Sequence, residues 1–136
     1  VMMLNGSLAG LVAITAEPLT PGPITAMVIG SIGAVIMYYG TKLLENLGLD
    51  DVVGAIPVHM FAGIFGTLVV PLTNADTSFG TQLIGVISVC VFSFVLSWIT
   101  FSTLKSTVGL RISRAAEKQG TDKAEVGVIA YSIRDW

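Results

Sequence analysis

One histidine, His59, stands in a chain of 136 residues, inside an apolar run from Val52 to Leu72. Imidazole both donates and accepts hydrogen bonds and exchanges a proton near neutral pH. Stepping from His59 by helical spacing meets Ala55, Ala62, Gly63 and Gly66, a smooth stripe of small residues. A helix over this run is long enough to cross a bilayer, with His59 near its middle. An ionisable ring at that depth faces another helix or a cavity, and such residues mark ion and proton paths. The plainer alternative is a buried histidine that bonds a carbonyl or hydroxyl and fixes helix packing. Other chemistries lack their parts. One histidine, with the lone Cys90 in another apolar run, cannot close a metal shell, and no partners are present for a hydrolase triad. The glycines match neither phosphate-loop pattern, and nothing else supports haem ligation by His59. The expectation is a protein that is not an enzyme and has no cofactor.

The elements that must position His59 emerge from composition. Hydrophobic residues make up 53% of the chain and charged ones 12%, about half the charge of a soluble domain, which predicts an all-α membrane protein. The net charge of −2 argues against nucleic acid. The only cysteine, Cys90, lies in an apolar run and reads as a small core residue, so no disulfide framework exists. Four apolar runs predict four transmembrane helices over about 1–16, 24–44, 52–72 and 81–103, the membrane part being 1–104. A polar tail of residues 105–136 completes the chain. Val1 is not an initiator Met and no charged n-region precedes the first run, so the chain reads as part of a longer protein rather than as one opening with a signal peptide.

Small residues define the expected seams. Gly6 and Gly10 form a GxxxG pair in the first run, and Ala26, Gly30 and Ala34 recur every four residues in the second. Pro18, Pro21 and Pro23 break the chain between them. Asp50 or Asp51 is placed to cap the third helix. Pro57 predicts a kink or distorted turn beside His59. In the fourth run Ser88, Ser93, Ser97, Thr100 and Ser102 can bond their own helix or a partner, while Phe92, Phe94, Trp98 and Phe101 read as lipid-facing or core.

Charge predicts orientation. Lys42, Lys105, Arg111, Arg114, Lys118, Lys123 and Arg134 are all the basic residues, and four spans put every one on the same side. The opposite loops offer only Glu17 and Asp76. The positive-inside rule then places the tail in the cytoplasm of a plasma or inner membrane.

These residues carry a resemblance. Asn5-Gly-Ser-Leu-Ala-Gly-Leu-Val-Ala-Ile-Thr-Ala16, then Ala26 through Gly30, precede Asp50-Asp51 through Val58-His59. Ala62-Gly-Ile-Phe-Gly-Thr67 and Val108-Gly-Leu-Arg111 complete the series. In this order and spacing the chain resembles the ammonium transporter, methylammonium permease and Rhesus family. The match corresponds to the C-terminal part, the last four membrane helices and cytoplasmic tail of an eleven-helix fold. The resemblance implies a homotrimer, each subunit conducting ammonium or ammonia (or methylammonium) through its own narrow hydrophobic pore past a hydrogen-bonded histidine pair. His59 matches the second histidine of that pair, and Leu8 and Ala55 match positions lining the pore. Thr15 matches a hydroxyl near the outer vestibule, Asn5 a polar position on the same helix, and Asp51 an acidic residue at the start of the His-bearing helix. Neutral ammonia crosses an apolar tube far more cheaply than a stripped cation if a hydrogen-bonding partner waits midway.

Departures bear on two of these expectations. Met60 stands where many members have Gly after the histidine. In the tail, Glu117, Gly120, Asp122, Glu125 and Ala130-Tyr131 match the family outline, but Val126 and Val128 replace its common His and Glu. That bears on a further implied partner, a PII-type signalling protein docking at the cytoplasmic mouth. Gly109, Arg111, Gly120 and Asp122 form the expected regulatory segment, packing on cytoplasmic loops and coupling the pores. Two rival readings are an ammonium sensor signalling through its tail and an independent four-helix assembly module.

Overall fold

Proline and glycine set the helix limits of the computed structural model, which describes residues 1–129. Ala130-Tyr131 of the tail motif, and Arg134, lie outside the described residues. Helix α1 spans Met2–Ile14. Helix α2 spans Pro23–Asn46 and opens on proline, whose missing N–H is one that a helix start leaves unpaired anyway. It closes at Gly48, where φ is +67° and the next amide, Leu49 N, donates back to the Leu44 carbonyl at 3.0 Å. The third apolar run forms a π-helical turn Ile56–Phe61, helix α3 over Ala62–Val69 and a 3-10 turn Val70–Leu72. Helix α4 runs without a break from Phe79 to Thr107. The tail holds α5, Arg114–Gln119, capped by the Ser113 hydroxyl, and a second π turn, Asp122–Val126. No strand occurs among the described residues.

The chain divides into two units, the first ending at Val91 and the second beginning at Phe92. In the first unit α1 packs against both its neighbours through small residues. A Cβ added to Gly10 would lie 3.1 Å from the Gly30 carbonyl oxygen, and one on Gly33 would lie 2.7 Å from the Ala13 Cβ. Gly6 faces Ala34 and Met37, so α1 and α2 run antiparallel at backbone contact. Gly63 faces Val12, and a Cβ on Gly66 would collide with the Ala13 carbonyl, which sets α3 parallel to α1. Ala9, Met37, Val58 and Ala62 form the core between them, with Val12 against it.

By length and composition α2 and α4 are the two helices able to cross a membrane. At 1.5 Å per residue they measure about 36 and 44 Å. The same rise gives about 20 Å for α1 and about 25 Å for Ile56–Leu72, less than the ~30 Å of a hydrocarbon core. In the third apolar run Val52 and Val53 form a turn, and the helix begins at Ala55.

Candidate functional site

The start of the third helix is built on Asp51, Gly54 and Pro57. Gly54 adopts φ +75°, a conformation that side-chain-bearing residues rarely take, and turns the chain so that Asp51 lies over the helix end. The Asp51 carboxylate accepts from Ala55 N and Ile56 N, both at 2.8 Å, while its carbonyl accepts from Gly54 N at 3.1 Å. The next residue is Pro57, which has no N–H to satisfy. Every orphan donor of this helix start is thus paired or absent. Of the two aspartates able to cap, Asp51 does so. Pro57 sits in the first turn, where its cost is small, rather than within the helix.

One carbonyl remains. Val53 lies in the turn before the helix, and no helical amide is placed to reach its carbonyl. It accepts instead from Asn5 Nδ2 of α1 at 2.9 Å. The other end of the bundle is closed by Asn74 Nδ2, which donates to the Glu17 carboxylate at 2.9 Å, so the loops after α1 and after Leu72 meet there. This bond, with a second from Leu19 N, holds the Glu17 carboxyl below its ordinary range.

After Ile56 the helix widens. The Ala62 amide donates to the Pro57 carbonyl, five residues back. A π turn advances each residue by less than the roughly 100° of an α-helix, and the difference separates residues that α spacing would align. The expected stripe is accordingly split. Ala62 and Gly66 are buried against the bundle, Gly63 is half-buried, and Ala55 and His59 are exposed. Phe61 makes room for the wide turn by lying in a notch on α2 at Gly40, where any Cβ would strike its ring. His59 therefore stands near the start of its helix, level with the later part of α2, and not midway along. Among the described residues its ring takes no hydrogen-bond partner.

The other expected positions are scattered over both units. Leu8, 48% exposed, is on the open side of α1, while Ala9 and Ala13 face inward. Thr15 also lies in the open, its hydroxyl donating to Val12 of its own helix at 2.7 Å. In the second unit Gly109 and Gly120 take φ values of +86° and +92°, so both positions favour glycine. Arg111 pairs with Glu117 at the surface, which raises the Arg111 pKa. Asp122 packs beside Gly120, where an added Cβ would come within 2.6 Å of its carboxylate. At the α2 end Lys42 lies over the Tyr38 ring, 4.5 Å from its centroid, a cation–π contact between residues four apart on one helix. Spacing by four overlooked Gly33 and Gly40. The pairing of Gly54 with Pro57 just after two aspartates was a turn signal that reading the run as one helix passed over.

Helical segments joined by backbone-close glycine seams, with two helices of spanning length, are compatible with a helical membrane protein. Comparison with known proteins specifies which kind. The model of the Ammonium Transporter Family matches residues 1–131. The chain is 38% identical to the Archaeoglobus fulgidus ammonium transporter Amt2, over 96% of this chain and 32% of that protein. It is 34% identical to Amt2 of Methanocaldococcus jannaschii, over 93% of this chain and 32% of that one. With the ammonium transporter of Corynebacterium glutamicum it shares 32% identity, over 95% and 32%. The chain belongs to the ammonium transporter family. It spans about a third of the length of these curated relatives.

Proposed function

We propose that this chain supplies part of a membrane conduction path for ammonium or ammonia, with His59, Leu8 and Ala55 on the wall of that path. The observation that carries the reading is the exposure of His59 beside a tightly packed seam. The π turn takes the only imidazole off the buried stripe and puts it on an open apolar face. Family membership supplies the substrate class, since these relatives are named as ammonium transporters. A dehydrated ammonia passing such a face would exchange water for one imidazole hydrogen bond, and the ring would relay its proton.

The complete path then needs further helices opposite this face, in keeping with a chain that spans a third of its relatives. Under this proposal the four apolar segments are the C-terminal spans, and residues 105–136 form a cytoplasmic tail on the side that carries the lysines and arginines. Asn5, Thr15 and Asp51 support the wall. Gly109, Arg111, Gly120 and Asp122 shape the tail for contact with a neighbouring subunit of a homotrimer, where a PII-type protein would also dock.

Methylammonium uptake per folded molecule tests the central role of His59 in the full-length protein. His59→Ala is expected to abolish uptake or change its selectivity while the protein still folds, because the ring leaves no core contact behind. Wild-type uptake in both His59→Ala and His59→Asp would reduce the residue to surface decoration.

A further inference from the structure

Asn5 and Gly54 make one interlocked contact on which the direction of His59 depends. Helix α1 and the turn before the π segment meet through a single side-chain hydrogen bond, from Asn5 Nδ2 to the Val53 carbonyl at 2.9 Å. Val53 precedes the helix, so no amide of that helix is placed to bond its carbonyl, and Asn5 supplies the donor. Gly54 removes the side chain that would have occupied the space of the Asn5 amide, since a Cβ there would lie 2.6 Å from Nδ2. The same Gly54 holds the positive φ that brings the Asp51 carboxylate over Ala55 and Ile56. The starting point of the third helix is thereby tied to a fixed level of α1.

That starting point decides where His59 faces. Downstream, the helix is pinned by the buried Val58 in the core, by Ala62 and Gly66 against α1, and by Pro57 and Phe61 against Gly40 of α2. Between the two pinned ends the chain holds one residue more than an α-helix would place there, and the π turn takes up the excess. Release of the upper pin lets the segment relax toward α geometry, which returns His59 toward the Ala62–Gly66 side. We infer that Asn5 and Gly54 are positioning residues for His59, a clamp that stores the wide turn and keeps the ring on the open face. The inference rests on the proposed role of His59, and it makes a claim about geometry that can be measured apart from that role.

The test uses the full-length protein, stripped of other cysteines, with His59→Cys as a reporter. The labelling rate of this thiol by a small thiol reagent is compared with and without Asn5→Ala or Gly54→Ala. A severalfold change in rate, at an unchanged proportion of folded protein, is the expected result. In the His59 background, the same two variants should lower methylammonium uptake by about a hundredfold, the usual consequence of a misplacement of roughly 1 Å. They should also alter the charge carried per methylammonium. A merely structural contact would scale current and uptake together. Unchanged labelling at position 59 overturns the clamp, even if uptake falls. Changed labelling combined with wild-type uptake in His59→Ala leaves the clamp standing and removes the conduction role. Asn5→Asp, which keeps the shape but cannot donate, should behave as Asn5→Ala, and wild-type behaviour there would also overturn the clamp.

Discussion

The three segments that pack around Ala9 and the helix α4 are both strongly apolar, yet they behave in opposite ways. In the first region glycine after glycine sits where a methyl group would strike a neighbouring backbone or ring: Gly10, Gly33, Gly40 and Gly66. In α4 no residue is buried along 29 positions, and Gly85 has nothing within 4 Å. Hydrophobicity does not separate the two regions. Residue size does, because apolar helices in lipid gain little from burying oily surface and associate through close backbone approach instead. The first region is a docked unit, whereas α4 presents large side chains, Phe92, Phe94, Trp98 and Phe101 among them, to whatever surrounds it.

The sharpest way to break this comparison is to add one methyl group to each region. Gly66→Ala puts a Cβ into the Ala13 carbonyl and should cost about 1–3 kcal/mol through overpacking, whereas Gly85→Ala should be neutral or slightly stabilising. Melting of the detergent-solubilised full-length protein reads both. Equal destabilisation would mean that α4 is as tightly packed in the whole protein as α3 is here.

A smaller effect is expected at the helix start. Asp51→Ala strips two amides of their acceptor and should cost about 1–2 kcal/mol, with Asp51→Asn losing less because one acceptor oxygen remains. A melting temperature unchanged by Asp51→Ala would remove the cap from the account of this helix. The corresponding start of α4 depends on Ser78, whose hydroxyl accepts from Thr81 N at 3.2 Å, a longer bond to an uncharged group.

The smallest effect lies in the loops. The bond from Asn74 holds the Glu17 carboxyl low, so the ionised form is favoured in the folded state. The stability that this contributes is present above the ordinary carboxylate range and is lost as pH falls through the lowered folded value. Wild type and Glu17→Gln should therefore differ slightly in melting at neutral pH and converge in strong acid. A difference that grew on acidification would contradict the contact.

Particular residues mark the reach of one-dimensional information. The apolar runs, the GxxxG pair, an aspartate cap and the family were all legible, because each is a matter of local composition, spacing or ordered motif. Gly33 and Gly40 were not singled out. Their importance comes from Ala9, Ala13 and Phe61 on other helices, and no periodicity within α2 distinguishes them from other small residues. Pro57 indicated a distorted turn beside His59, and the π turn Ile56–Phe61 contains that proline; what the sequence did not show is that the proline stands in the first turn and that the distortion is a widening.

The sequence by itself determined that this chain is helical and apolar, and that a lone imidazole lies in its third apolar run. It also determined the family, through motifs that keep their order over nearly the whole length. Only the tertiary structure decided where the third helix starts and which way His59 faces. Helical phase accumulates along a chain at about 100° per residue, so a single residue absorbed in a π turn, invisible to any count of apolar positions, redirects every later side chain of the helix. That phase is settled by contacts from two other helices, Asn5 on α1 and Gly40 on α2, and those partners meet the segment only once the chain has folded.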